Sequence, residues 1–124
     1  MSSHTVQGVL IPVTDMQRSA GFYEKLLGIA PAIRSAGWIQ FDLAPGVNVA
    51  LHPARASAPT TERLAQGRAV LLLRVEDIDA EYERLRQLGM AAAPPHVSPD
   101  IPTPVLEVID PDGFVIQAGG PRRA

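Results

Sequence analysis

The chain has 124 residues, no cysteine and a formal net charge of −2, with 46% apolar and 19% charged residues. That is enough for one compact domain with a modest core. It excludes a disulfide framework, a zinc–thiolate site and a thiol nucleophile. The basic tail "PRRA" is too short for a nucleic-acid patch, "MSSHTVQG" lacks a basic-then-apolar leader pattern, and the longest apolar run, "AVLLLRV", cannot span a bilayer. Neither nucleic acid nor membrane is an expected partner, and the expected location is the cytoplasm.

In chain order, the first predicted strand is "GVLIPV", ending in Val-x-Asp. Alternation puts Val9, Ile11 and Val13 on one face and Gly8, Leu10 and Pro12 on the other. Asp15 is the predicted N-cap of a helix whose stripe is Met16, Ala20, Tyr23 and Leu26, closed by a left-handed Gly28. Short strands with turns follow, and "WIQFDLAPGVNVALH" reads as a hairpin around Gly46. Residues 54–67 are the expected linker. "AVLLLRV" then opens a second copy of the pattern, with Asp77 as N-cap, Ile78, Tyr82, Leu85 and Leu88 as stripe, and Gly89 as C-cap. "PPHVSPDIPTP" is a rigid, proline-rich segment and a candidate wall or lid. "VLEVIDPDGFVIQAG" is the last hairpin.

Asp15 and Asp77 stand half a chain apart, and each half reads strand–helix–strand–strand–strand. The expected fold is α+β: two tandem βαβββ modules, about 5–53 and 68–120, forming a half-open barrel around a cavity. One helix covers one face of its sheet, so the other face lines that cavity or meets another module. In "DPDGF", Pro111 suits the first central position of a type I turn and Gly113 the left-handed position after it. That register pairs Asp110 with Phe114, Ile109 with Val115 and Glu107 with Gln117. Carried over to "LAPGV", it pairs Gln40 with Ala50 and Trp38 with His52. Ile39, Phe41, Val49, Leu51, Leu106, Val108 and Ile116 then face the helices, as do Leu71, Leu73 and Val75. Val70, Leu72 and Arg74 face the cavity.

"VTDMQRSAGFYEKLLG", "VEDIDAEYERLRQLG" and "DPDGFVIQ" resemble the vicinal oxygen chelate superfamily, which includes glyoxalase I, extradiol dioxygenases, fosfomycin-resistance enzymes and bleomycin-resistance proteins. The resemblance covers nearly the whole chain. It implies metal ligands on the first strand of each module, at positions held here by Gly8 and Val70, and on the last strand, at Ala50 and Gln117. Gly, Val and Ala offer no side-chain donor, and one neutral amide oxygen does not hold a divalent ion. Gln7, beside the first position, lies on the wrong face by parity. No metal and no cofactor are expected, and Gln117 becomes a hydrogen-bonding group in a metal-free pocket.

The candidate ligand-binding residues are Trp38, Gln40, Asn48, His52, Arg74, Glu107 and Gln117. Trp38 suits stacking on a planar ligand, or a dimer or rim contact. His52 serves as a donor or merely closes a strand beside Pro53. Arg74 meets an anionic ligand or pairs with Glu107. Glu107 is a general base if buried, and a solvated edge-strand residue otherwise. His4 and His96 read as terminal and loop residues. The leading expectation is a metal-independent binder of a small, planar or partly apolar molecule, of the bleomycin-resistance type, assembled as a homodimer. The alternatives are a metal-free isomerase, cyclase or lyase with Glu107 as base, and a metal enzyme with His52 and Glu107 as unusual donors.

Overall fold

The computed structural model describes residues 2–54, 70–90, 93–97, 99–100 and 103–123. All of the expected linker except Ala54, and part of the proline-rich segment, lie outside them. The chain divides into two compact units, Met1–Arg68 and Ala69–Ala124. The fold is α+β, with two sheets and two helices among the described residues. Neither helix is long and apolar enough to cross a membrane.

The first unit contains β1 (Gly8–Val13), α1 (Met16–Leu27), β2 (Ile33–Arg34), β3 (Ile39–Ala44) and β4 (Val47–Pro53), in the sheet order β1-β4-β3-β2. Asp15 caps α1 by accepting from the Arg18 N–H at 3.0 Å, and Gly28 ends it at φ 71°. Ala20, Tyr23 and Leu26 are buried against Ile11, Val13, Ile39, Phe41, Val49 and Leu51, the residues that strand alternation assigns to the helix side. Burying each such large side chain contributes about 1.5–3 kcal/mol.

The second unit contains β5 (Leu71–Arg74), α2 (Ile78–Gln87), β6 (Val105–Ile109) and β7 (Val115–Gly119), in the order β5-β7-β6. The Asp77 carboxylate accepts from the Asp79 and Ala80 N–H groups. Gly89, at φ 73°, donates to the Arg86 carbonyl, and Met90 donates to that of Leu85. These two bonds satisfy the carbonyls left open at a helix end. They also turn the chain out of the helix, so Leu88, expected on the buried stripe, is 43% exposed. Ile78 and Leu85 carry the packing onto Leu71, Leu106, Val108, Ile116 and Ala118.

Among the described residues, the strand expected between α2 and β6 is reduced to a bridge in which His96 and Val105 exchange both backbone hydrogen bonds. Pro94 and Pro95, just before it, have no N–H to extend a ladder. His96 is thus a sheet residue rather than a loop residue, in the place that β2 takes in the first unit.

The two hairpins differ at their turns. The Asp110 N–H donates to the Phe114 carbonyl, its carbonyl accepts from the Gly113 N–H, and its carboxylate accepts from the Asp112 and Phe114 N–H groups at 2.9 and 2.8 Å. The register beyond it is as expected, with Glu107 opposite Gln117. In the first hairpin Ala44 pairs with Val47 across Pro45–Gly46, and the register shifts between Asp42 and Ala44. The expected copy of the "DPDGF" loop does not form, because it would put Pro45 at the second central position of a type I turn. There its ring disfavours the preceding residue's helical conformation. Pro45 followed by Gly46 at φ 75° is instead the arrangement of a type II turn. The irregularity absorbs the difference, so Gln40 still pairs with Ala50.

Candidate functional site

The face of the first sheet away from α1 is built in rows. Gly8, Asn48 and Asp42 form one row, and Leu10, Ala50 and Gln40 the next. Pro12 pairs with His52 and is buried despite its parity. Trp38 precedes β3 and its carbonyl accepts from the Ser35 N–H, so the sheet pairing expected between Trp38 and His52 is not formed. Gly8 and Ala50 are the smallest side chains on this face. They floor a groove of about 220 Å³ bordered by Gln7, Leu10, Trp38 and Asn48. Gln7 lies just before β1, where strand parity does not bind it, and its carbonyl accepts from the Asn48 N–H at 2.9 Å.

A polar chain runs along β3. The Trp38 indole N–H donates to Gln40 Oε1 at 3.0 Å, and Gln40 Nε2 donates to Asp42 Oδ1 at 2.8 Å. An indole N–H can only donate, so it fixes which end of the Gln40 amide is oxygen and aims the amino group at Asp42. Asp42 was not singled out in the sequence. The signal for it is spacing: residues 38, 40 and 42 share one strand face. Asp42, Gln40 and Asn48 also border a depression of about 390 Å³ at the Pro45–Gly46 turn.

On the second sheet, the face away from α2 carries Leu72, Gln117 and Glu107 in one row and Arg74, Gly119 and Val105 in the next. Gln117 Nε2 donates to Glu107 Oε1 at 3.3 Å. Glu107 is exposed, which matches a solvated strand residue rather than a buried base. The expected Arg74–Glu107 ion pair is absent. The register sets the two residues one row apart with β7 between them, beyond the reach of a salt bridge. A cleft of about 310 Å³ lies on this face, bordered by Leu72, Arg74, Thr103, Val105, Gln117 and Gly119.

The four positions where the resemblance implies metal ligands do not fit a divalent ion. A Cβ on Gly8 would stand 1.9 Å from the Asn48 carbonyl oxygen, so no side chain fits there without moving backbone. Ala50 is 2% exposed and has no donor, and Val70 has none either. Gln117 is engaged with Glu107. Among the described residues, no three His, Cys, Asp or Glu side chains gather as a metal site. The two unusual donors, His52 and Glu107, stand on different sheets in different units.

Two βαβ-based units, each a sheet with one helix-covered face, define the class of fold that carries the vicinal oxygen chelate enzymes and their non-enzymatic relatives. The model of the Glyoxalase/Bleomycin resistance protein/Dioxygenase superfamily matches residues 3–118, and the chain belongs to that superfamily. No curated protein matches it. Among solved structures it is similar to TnmS3, an antibiotic-binding protein from Streptomyces sp. CB03234, with 28% identity, 98% of each chain covered and a TM-score of 0.71. A glyoxalase/bleomycin resistance protein/dioxygenase from Nocardioides is 25% identical, with all of this chain and 87% of that one covered and a TM-score of 0.74. A glyoxalase/bleomycin resistance protein from Catenulispora acidiphila, at 23% identity, a TM-score of 0.71, and coverage of 94% of this chain and 98% of that one, shares the fold.

Proposed function

We propose that this protein is a metal-independent small-molecule-binding protein of the bleomycin-resistance type, which sequesters a drug or metabolite as a cytoplasmic homodimer. The observation that carries this reading is the backbone contact at Gly8, where the Asn48 carbonyl occupies the space that a ligand side chain needs. Small residues at Gly8 and Ala50 leave a hollow beside an aromatic ring, an amide chain and a carboxylate. Such a surface recognises shape and hydrogen-bonding pattern. It offers no activated nucleophile and no buried acid–base pair among the described residues. The antibiotic-binding relative TnmS3 supports the same reading.

The test is a drug and metabolite library screened by thermal shift, with and without EDTA, together with elemental analysis of the purified protein. A specific binder at 100 times its dissociation constant raises stability by about 2.7 kcal/mol. The expected result is stabilisation that EDTA does not alter, recovery of the ligand unchanged, and no stoichiometric metal. About one divalent ion per chain, or turnover of every hit, refutes sequestration without metal.

A further inference from the structure

The cleft on the second sheet has a chemistry different from that of the Trp38 groove. Arg74 is exposed at the end of β5 and borders the cleft. Among the described residues no carboxylate lies within salt-bridge distance of it. Glu107, the acid on the same sheet face, is held by Gln117 one row away. The row that contains Arg74 continues through Gly119 to Val105, so the strand beside the guanidinium presents no side chain. A Cβ at Gly119 would sit 3.4 Å from Thr103 Oγ1 and 3.5 Å from Val105 Cγ1, so the glycine keeps this floor open. The Thr103 hydroxyl stands at that floor with no hydrogen-bond partner among the described residues. Leu72, 72% exposed, forms an apolar wall.

A guanidinium without a counter-ion among the described residues, a hydroxyl donor and an apolar wall converge on one hollow. We infer that this cleft binds the carboxylate of a small acid whose apolar body lies along Leu72 and Val105. The planar fork of a guanidinium matches the two oxygens of a carboxylate. A phosphate dianion calls for more donors than one arginine and one threonine supply. The volume, about 310 Å³, stands at the small end of the range for ligand sites, which limits the acid to a single ring or a branched chain. The inference rests on the small-molecule-binding reading and adds to it a hollow on the second sheet, the charge of the molecule that hollow takes and the residue that reads it.

The test uses the full chain in EDTA, titrated with benzoate, phenylacetate and isovalerate and with the primary amide of each, followed by two-dimensional amide NMR. An acid is expected to shift the Leu72–Arg74 and Gln117–Gly119 resonances saturably. Its amide should bind at least about tenfold more weakly, since it lacks the charge that the guanidinium reads and offers one acceptor oxygen in place of two. Arg74→Gln should abolish the acid-over-amide preference while leaving the melting temperature unchanged, and Arg74→Lys should keep part of it. Equal binding of acid and amide, or a preference that survives Arg74→Gln, overturns the inference. So does an Arg74→Gln variant that loses self-association in sedimentation while no acid moves these resonances, because Arg74 then belongs to an interface between copies. Neutral or cationic hits from the library, with all acids inert, remove the carboxylate assignment alone. An empty library screen and inert acids together remove the binding reading as well.

Discussion

Gly8→Ala isolates the contact on which the metal-free reading depends. The added Cβ meets the Asn48 carbonyl oxygen at 1.9 Å, and ordinary contact begins at 3.4 Å, so β1 and β4 must separate locally. The bond from the Asn48 N–H to the Gln7 carbonyl, 2.9 Å long, lies beside the clash and is strained with it. Forcing atoms into a packed site costs about 1–3 kcal/mol, and a lost backbone bond adds about 0.5–1.5 kcal/mol. Replacing glycine returns about 0.4–1 kcal/mol by restricting the unfolded chain. The expected net loss is about 2 kcal/mol, read as a lower urea midpoint at an unchanged slope. Gly21→Ala is the matched control. Gly21 lies inside α1 with nothing within 4 Å of a built Cβ, so alanine there should add about 0.5–1 kcal/mol. If Gly8→Ala proves as stable as the parent while Gly21→Ala behaves as expected, the backbone approach at Gly8 is not a constraint. A ligand side chain could then return to that position.

Ser19 is fully buried in α1 and its hydroxyl has no hydrogen-bond partner among the described residues; Ser19→Ala should therefore raise stability by about 1 kcal/mol in the same urea assay. Gln117→Glu replaces a donor to Glu107 with a like charge directly opposite it. Repulsion raises the introduced carboxyl's folded-state pKa, so the destabilisation, about 0.2–1 kcal/mol, should be full near neutral pH and fade as acid protonates that group; a loss independent of pH contradicts the register. Trp38 is the chain's single tryptophan, so a ligand seated in its groove should change the emission. Trp38→Ala should then weaken that ligand by up to about tenfold through lost stacking, and an unchanged affinity places the ligand elsewhere.

What the sequence made legible is what local chemistry decides. Asp15 and Asp77 announce helix starts because a short carboxylate there meets free N–H groups, and both do so in the structure. Strand alternation named the helix-facing residues because a covered sheet face tolerates little but apolar side chains. The "DPDGF" turn set its own register, since Pro111, Gly113 and the Asp110 carboxylate all favour one loop. Where one residue moved, the inference failed: the proline of "LAPGV" sits one place later and selects a different turn. Asp42 and Thr103 were not legible. Asp42 was missed although residues 38, 40 and 42 keep the strand's period of two, because the hydrogen-bond chain that gives it a role begins at an indole outside the strand. Thr103 matters through proximity to Gly119, a relation with no periodicity. The Arg74–Glu107 pair failed for a related reason: both residues share a face, but β7 lies between them and the rows are offset.

The two units repeat the helix-facing half of the pattern closely and the opposite half loosely. The row Leu10–Ala50–Gln40 in the first corresponds to Leu72–Gln117–Glu107 in the second. Ala50 and Gln117 are equivalent, yet one is a floor and the other a hydrogen-bond donor. The helix-facing rows are constrained by packing, where the loss of a few methylenes is felt as instability. The opposite rows carry no such packing constraint. One feature on that side is shared all the same. Leu10 and Leu72 stand at equivalent positions and are 51% and 72% exposed. A leucine contributes its apolar transfer energy only when something covers it, so in the uncovered state neither adds that energy to folding. An apolar residue repeated at the same uncovered place on both sheets is what the proposed binding role requires, because its energy is released only when a ligand or a second copy covers it.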